Sequence, residues 1–306
     1  MNTNKRRLLL ICSYIFILLL TSCGDVKTDY DNNDDITILM KKANNGDTAA
    51  QKLLSKKYKE GKEILQNNEE AFKWALKSAE GGDAEAQRMV WDFYIQGNGT
   101  KRNIEEAIKW LQESANNNDL ESALQYGKLL SAGVFVKQDY NQAFFWLKKA
   151  ADKGSAEALY TIGLFYLNGY GCEKNEVQGF TYICSSADRG YKYAYFIKAK
   201  AYQEGWGTQK NLNEAIVNFE KAVCLGSIGA CVILSDIYFE EQNAINYKKA
   251  YFWASVGDIA SNKKQAFIFL KYNCVKYLTE NERSEIEINA QKYYDSIDKN
   301  VIWENF

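Results

Sequence analysis

Apolar residues in this chain recur at helical spacing and do not alternate. Ala86, Val90 and Tyr94 lie four residues apart, so they share one face of a helix, termed helix A. Gly97 and Gly99 follow, and glycine accepts the left-handed conformation that ends a helix. Asn103 is then placed as the N-cap of a second helix, helix B, its side chain accepting a backbone N–H of the first turn. Ala107, Trp110 and Ala115 line the inner face of helix B, where small Ala lets helices approach and Trp fills the space between units. The turn "NNND" at 116–119 leads into the next helix A.

The pattern returns every 36 residues. Trp74, Trp110 and Trp146 recur at that interval, with Tyr182 in the next slot. Ala71, Ala107, Ala143, Gly179 and Ala215 form a second series, and Gly61, Gly97, Gly133, Gly169 and Gly205 a third. Asn67, Asn103, Asp139, Asn175 and Asn211 form a fourth. Gly46, Gly82, Gly154, Gly190 and Gly226 form a fifth, with Asn118 filling the missing turn. The sixth unit loses one residue, after which Asn246, Ala250 and Trp253 resume the register. Five series in phase define a repeat protein, in which no unit buries its own face and stacking supplies the core. The expected fold is all-α: a right-handed α-solenoid of about six helix-turn-helix repeats with a C-terminal capping helix.

The pattern A-x3-L-G-x2-Y-x2-G-x-G…A-x2-W-x4-A-x2-G resembles the Sel-1-like repeat family, relatives of tetratricopeptide repeats. The resemblance covers roughly residues 36–300, fits best over 84–226, and includes a leading half-repeat that ends at Ala43 and Gly46. The stretch 277–294 resembles the terminal capping helix of bacterial members. Ser55, Trp91, Ala199 and Ser235 depart from the helix A glycine, Asn218 from the Trp, and Glu241 from the turn glycine.

The N-terminus has a different character. Lys5, Arg6 and Arg7 precede an apolar run of 13 residues, Leu8 to Leu20, too short to span a membrane and suited to a secretory signal. It closes on Leu20-Thr21-Ser22-Cys23, which resembles a bacterial lipobox. That resemblance implies a signal peptide over 1–22 and lipidation of Cys23, whose acyl chains would anchor the protein stably. Gly24 in place of Asp resembles an outer-membrane address, so the expected site is the cell envelope, facing the periplasm. Residues 23–35 read as lipidated Cys and acidic flexible tether, and 36–306 as the solenoid.

Composition removes several chemistries. The chain has 306 residues, 46% apolar and 25% charged, with a net charge of −1, so no basic field argues for nucleic acid. Histidine is absent, and with it the commonest general base and metal ligand. Ser261 and Lys264 match Ser-x-x-Lys, but the companions of that nucleophile motif are missing. Glu69/Glu70 and Glu105/Glu106 suit the first turn of helix B electrostatically. No C-x2-C pair or histidine supports zinc. No enzyme activity, cofactor or metal is therefore expected.

Five cysteines remain in the mature chain: Cys172, Cys184, Cys224, Cys231 and Cys274. A cysteine-rich branch of the Sel-1-like family bridges the locations of Cys224 and Cys231, which implies a disulfide there, the alternative being two packed free thiols. Some members of that branch bind or cleave β-lactams, an activity one such pair does not imply.

By analogy with tetratricopeptide proteins, helix A lines a concave surface. Two residues before the repeat's Leu come Lys52, Arg88, Leu124, Tyr160, Phe196 and Val232; two after it come Lys56, Asp92, Lys128, Leu164, Lys200 and Asp236. The surface thus changes from charged to apolar and aromatic, which suits a protein partner unless those side chains pack on the neighbouring helix A. Tyr170 and Trp206, between the turn glycines, are second candidates. The resemblance implies a lipid-anchored adaptor; a second expectation is an immunity protein that neutralises a periplasm-acting toxin such as a type VI secretion phospholipase.

Overall fold

The computed structural model describes residues 29–240, 243–261 and 265–297. The expected signal peptide, Cys23 and Lys264 of the Ser-x-x-Lys match lie outside the described residues. Every regular element among the described residues is an α-helix, and none is long and apolar enough to cross a membrane. Helix α1 (Asp29–Asn44) starts inside the stretch expected to be tether. Six helix pairs follow: α2 (Thr48–Glu60) with α3 (Asn68–Glu80), α4 (Ala84–Gln96) with α5 (Ile104–Asn116), α6 (Leu120–Ala132) with α7 (Tyr140–Asp152), α8 (Ala156–Asn168) with α9 (Glu176–Asp188), α10 (Lys192–Glu204) with α11 (Leu212–Cys224), and α12 (Ile228–Glu240) with α13 (Ala244–Ala260). Helices α14 (Gln265–Val275) and α15 (Glu280–Ser296) end the described chain. Tandem helix pairs at this period are the fold class of an α-solenoid.

The predicted punctuation is in place. Helix B begins on Asn67, Asn103, Asp139, Asn175 and Asn211, each side chain accepting from a first-turn amide. Helix A ends on left-handed glycines such as Gly97, φ 73°. Asn118 adopts φ 68°, the conformation its glycine counterparts hold at that turn.

The chain divides into two compact units, residues up to 117 and residues from 118 onward. In the first, Ala71, Ala75, Ala79, Ala86, Val90 and Phe93 are buried together, and Leu54 packs with Trp74 under α1. Ser55, standing where other repeats use glycine, donates its hydroxyl to the Ala71 carbonyl at 2.7 Å. The A and B backbones therefore stay close even without glycine. In the second unit, a Cβ on Gly127 would lie 2.7 Å from Leu147 Cγ, so the A–B contact requires a bare backbone. The second turn glycine has another task. Gly171 (φ +64°) lies so close to α7 that a Cβ would sit 2.0 Å from the Tyr140 carbonyl oxygen. Tyr251, Trp253, Phe267, Cys274 and Ala290 continue this unit's core into the closing helices. Helix α15, which overlaps most of the stretch resembling a capping helix, opens with a Thr279/Glu282 capping box. Lys271 joins Glu287 of α15 at 2.7 Å, and Tyr251 Oη donates to the same carboxylate at 2.7 Å.

Candidate functional site

Within each unit successive A helices touch along a fixed register, and the chemistry of that register differs between repeats. In the first unit it is ionic. Lys52 reaches Asp83 at 2.8 Å and Glu85 at 3.0 Å, Lys56 reaches Glu85 at 2.6 Å, and Lys59 reaches Asp92 at 2.9 Å. The hydrogen bond from Lys56, then that from Lys52, holds the Glu85 carboxyl down at about 2. Lys128 and Glu157 repeat the Lys56–Glu85 pairing within the second unit at 2.6 Å.

Three periods after Lys52, Asp83 and Glu85 stand Tyr160, Tyr191 and Tyr193. Their rings meet where the ions met: Tyr160 lies 5.2 Å from Tyr191 and 6.3 Å from Tyr193, and Tyr191 lies 5.3 Å from Tyr193. Burial pushes the Tyr160 phenol above its ordinary pKa, and Tyr193 adds to the effect. The exchange costs a helix cap. Asp47, Asp83, Asp119 and Ser155 each cap helix A with a side-chain oxygen. Tyr191 stands at that position with no side-chain cap bond. The Ala194 amide instead donates to the Tyr191 carbonyl at 3.0 Å. A lost cap costs about 1 kcal/mol, and each aromatic pair contributes about 0.5–1.5 kcal/mol. Local folding preference has yielded to a surface feature, a pattern that marks functional positions.

One helical turn beyond the tyrosines the stripe opens into a cavity of about 390 Å³ lined by Leu164, Leu167, Ile197 and Trp206, with Asn168, Lys174 and Glu176 at its polar edge. Lys174 pairs with Glu176 at 2.8 Å and holds that carboxyl below its usual range. Leu164 and Trp206, separate candidates from sequence, are thus brought to one site.

Other candidates lie elsewhere. Leu124 is 3% exposed and belongs to the interior, a correction to its expected surface role. Burying a leucine returns about 2 kcal/mol, whereas Lys52 at the same register must keep its charge in reach of partners. Phe196 is half-buried and sets its ring edge-on against buried Phe219, 5.6 Å away, so it serves packing. Arg88 is half-buried, and Asp92 is held by Lys59. Lys200 donates to Gln203 Oε1 at 3.3 Å and is loosely paired with Glu204 at 3.9 Å. Tyr170 is exposed but stacked flat on Tyr140 at 4.8 Å. Cys224 and Cys231 are free thiols and not a bridge. Their sulfurs face different surroundings: exposed Cys224 lies 3.3 Å from Tyr293 Oη, while buried Cys231 contacts the Ser227 carbonyl at 4.0 Å. Among the described residues no His, Cys, Asp and Glu group is arranged to hold a metal.

Tyr191, Tyr193, Leu167 and Ile197 were not anticipated. Tyr191 had a signal, since it breaks an Asp/Ser series at a fixed period; the others are defined only by contact between successive A helices.

Tandem helix pairs with a constant cap and turn grammar, and a contact register free to vary, define a helical-repeat scaffold. The comparisons make this specific. The sequence matches the Sel1 repeat at residues 48–83, 84–119, 120–155, 156–191 and 191–227, and the chain belongs to that family. It is similar to a Sel1 repeat protein from Oxalobacter formigenes, at 32% identity and TM-score 0.57, covering 64% of this chain and 78% of that one. It also shares its fold with c5321, a protective antigen of uropathogenic Escherichia coli displaying an SLR fold, at 20% identity and TM-score 0.64, covering 85% of this chain and 64% of that one. The immunity protein Pa5087 of Pseudomonas aeruginosa aligns at 17% identity and TM-score 0.37 over 82% of this chain and 86% of that one. No curated protein matches the chain.

Proposed function

We propose that this protein is a non-catalytic scaffold, anchored in the cell envelope by lipid on Cys23 and facing the periplasm, that holds a protein partner on the helix A face between Tyr160 and Trp206. The observation that carries the reading is the exchange of Lys52, Asp83 and Glu85 chemistry for Tyr160, Tyr191 and Tyr193 at the expense of a helix cap. Tyrosine offers a large rigid contact area with a polar tip, the composition of binding hot spots. The apolar cavity beside the rings adds a seat for an anchoring side chain. An immunity role would be one instance of this capture, with a toxin as partner.

Site-specific photo-crosslinking in a Gram-negative host tests the face. A benzophenone amino acid at Tyr193 should give a discrete protein adduct, and one at Val217, exposed on helix B, should not. Adducts of equal yield from both positions, or from neither, would sink the proposal. Membrane attachment is checked by Cys23→Ala, which should abolish lipid labelling and leave unprocessed precursor; unchanged labelling would remove the anchor from the scheme.

A further inference from the structure

The tyrosine stripe and its cavity also specify what kind of segment they take. We propose that they seat an extended, acidic stretch of polypeptide, with one large apolar side chain in the cavity and a carboxylate at Lys200. This rests on the partner-binding reading above and deepens it.

Three features carry it. The cavity of about 390 Å³ is near the lower end of ligand sites, about 300–1,000 Å³, which suits one large side chain and not a folded element. The apolar surface does not stop there. It runs from the cavity through Leu164 to the three tyrosine rings, crossing from α8 to α10, as a chain laid across successive repeats would need.

On α10 the charge nearest this surface is mainly basic: Lys192 and Lys200 stand against Glu204, while Lys198 takes the interior register. Lys192 Nζ lies 4.9 Å from the centre of the Tyr193 ring, and Lys200 donates to Gln203 Oε1 at 3.3 Å with the Glu204 carboxylate 3.9 Å away. The nearby acids are more tightly matched, Glu157 by Lys128 at 2.6 Å and Glu176 by Lys174 at 2.8 Å. A basic segment would meet like charge here and an acidic one its complement.

Spacing makes the proposal sharper. Leu164 at the cavity and Lys200 occupy the same helix A position one repeat apart. Packed helices stand about 10 Å apart, and an extended chain rises about 3.3 Å per residue. The carboxylate therefore belongs about three residues from the apolar anchor.

Fluorescence anisotropy of the full-length protein in lipid nanodiscs tests this with short labelled Gly/Ser peptides. The first carries a central Trp with a Glu at the third residue after it; a second has Lys for that Glu, and a third Ala for the Trp. The Trp/Glu peptide should bind at least about tenfold tighter than the Lys version, with the preference shrinking as salt rises. The Ala version should not bind. Lys200→Glu should reverse the preference and Tyr193→Ala should weaken binding, each with circular dichroism unchanged. Equal or tighter binding of the Lys peptide, or no effect of Lys200→Glu, overturns the proposal. If no peptide binds while the Tyr193 crosslinker still captures a protein, the acidic-segment chemistry is wrong and the partner face stands. If both fail, the functional reading falls with it.

Discussion

Replacing Tyr191 by aspartate weighs the two roles of that position against each other. Aspartate restores the cap that Asp47, Asp83 and Asp119 provide, worth about 1 kcal/mol. It also removes ring contacts to Tyr160 at 5.2 Å and Tyr193 at 5.3 Å, about 1 kcal/mol each. Tyr191→Asp should thus destabilise the otherwise unaltered protein by at least about 1 kcal/mol. In a Tyr160→Ala/Tyr193→Ala background the rings are already gone, and the same change should be less unfavourable by the two ring contacts, about 2 kcal/mol. The surface that Tyr191 itself buries is lost in both backgrounds and cancels, leaving a coupling of about 2 kcal/mol. Urea titrations of the four proteins by circular dichroism measure it. An identical effect in both backgrounds would show that the rings do not cooperate and would refute the reasoning.

Three further outcomes are expected. Gly171→Ala should cost about 3 kcal/mol or more, because an L side chain at φ +64° would meet the Tyr140 carbonyl; a shift under about 1 kcal/mol would contradict that approach. The Glu85 carboxyl has a folded pKa of about 2, below its unfolded value of about 4.3, so its contribution is present above that value and lost as pH falls toward 2. Glu85→Gln should flatten the stability profile between about pH 4.5 and 2, and an unchanged slope would exclude the Lys52 and Lys56 contacts as its source. Exposed Cys224 should alkylate in the native protein, while Cys231, buried and with its thiol pKa pushed far up by burial, should react only on unfolding. A Cys224–Cys231 bridge in non-reducing peptide maps would overturn that assignment.

Helix boundaries were legible because they answer local demands. A cap oxygen at Asn103, a left-handed residue at Gly97 and Asn118, and a bare Cα at Gly127 are conditions that one backbone segment sets for itself. The site was only half legible. Leu124 and Tyr160 share a register, yet one is buried and the other joins a surface cluster. What separates them is the neighbouring A helix, some thirty residues away, which no local pattern reports. Lys198 makes the same point: it stands where Leu54, Val90, Ile162 and Leu234 are fully buried, and is itself half-buried. Helix α14 was missed as a separate element, since it falls after the period breaks in the sixth unit.

The register of A-helix contacts is independent of the residues that make each repeat fold. Alanines, cap oxygens and turn glycines fix the scaffold, whereas Lys52, Asp83 and Glu85 can become Tyr160, Tyr191 and Tyr193 with the helix pairs intact. Such a molecule carries two superimposed scripts, one read by its own backbone and one by whatever lies against it. The second can be rewritten a single rung at a time. Lineages built this way can diverge in whom they recognise long before they diverge in shape, and kinship of form between two of them is poor evidence of a shared companion.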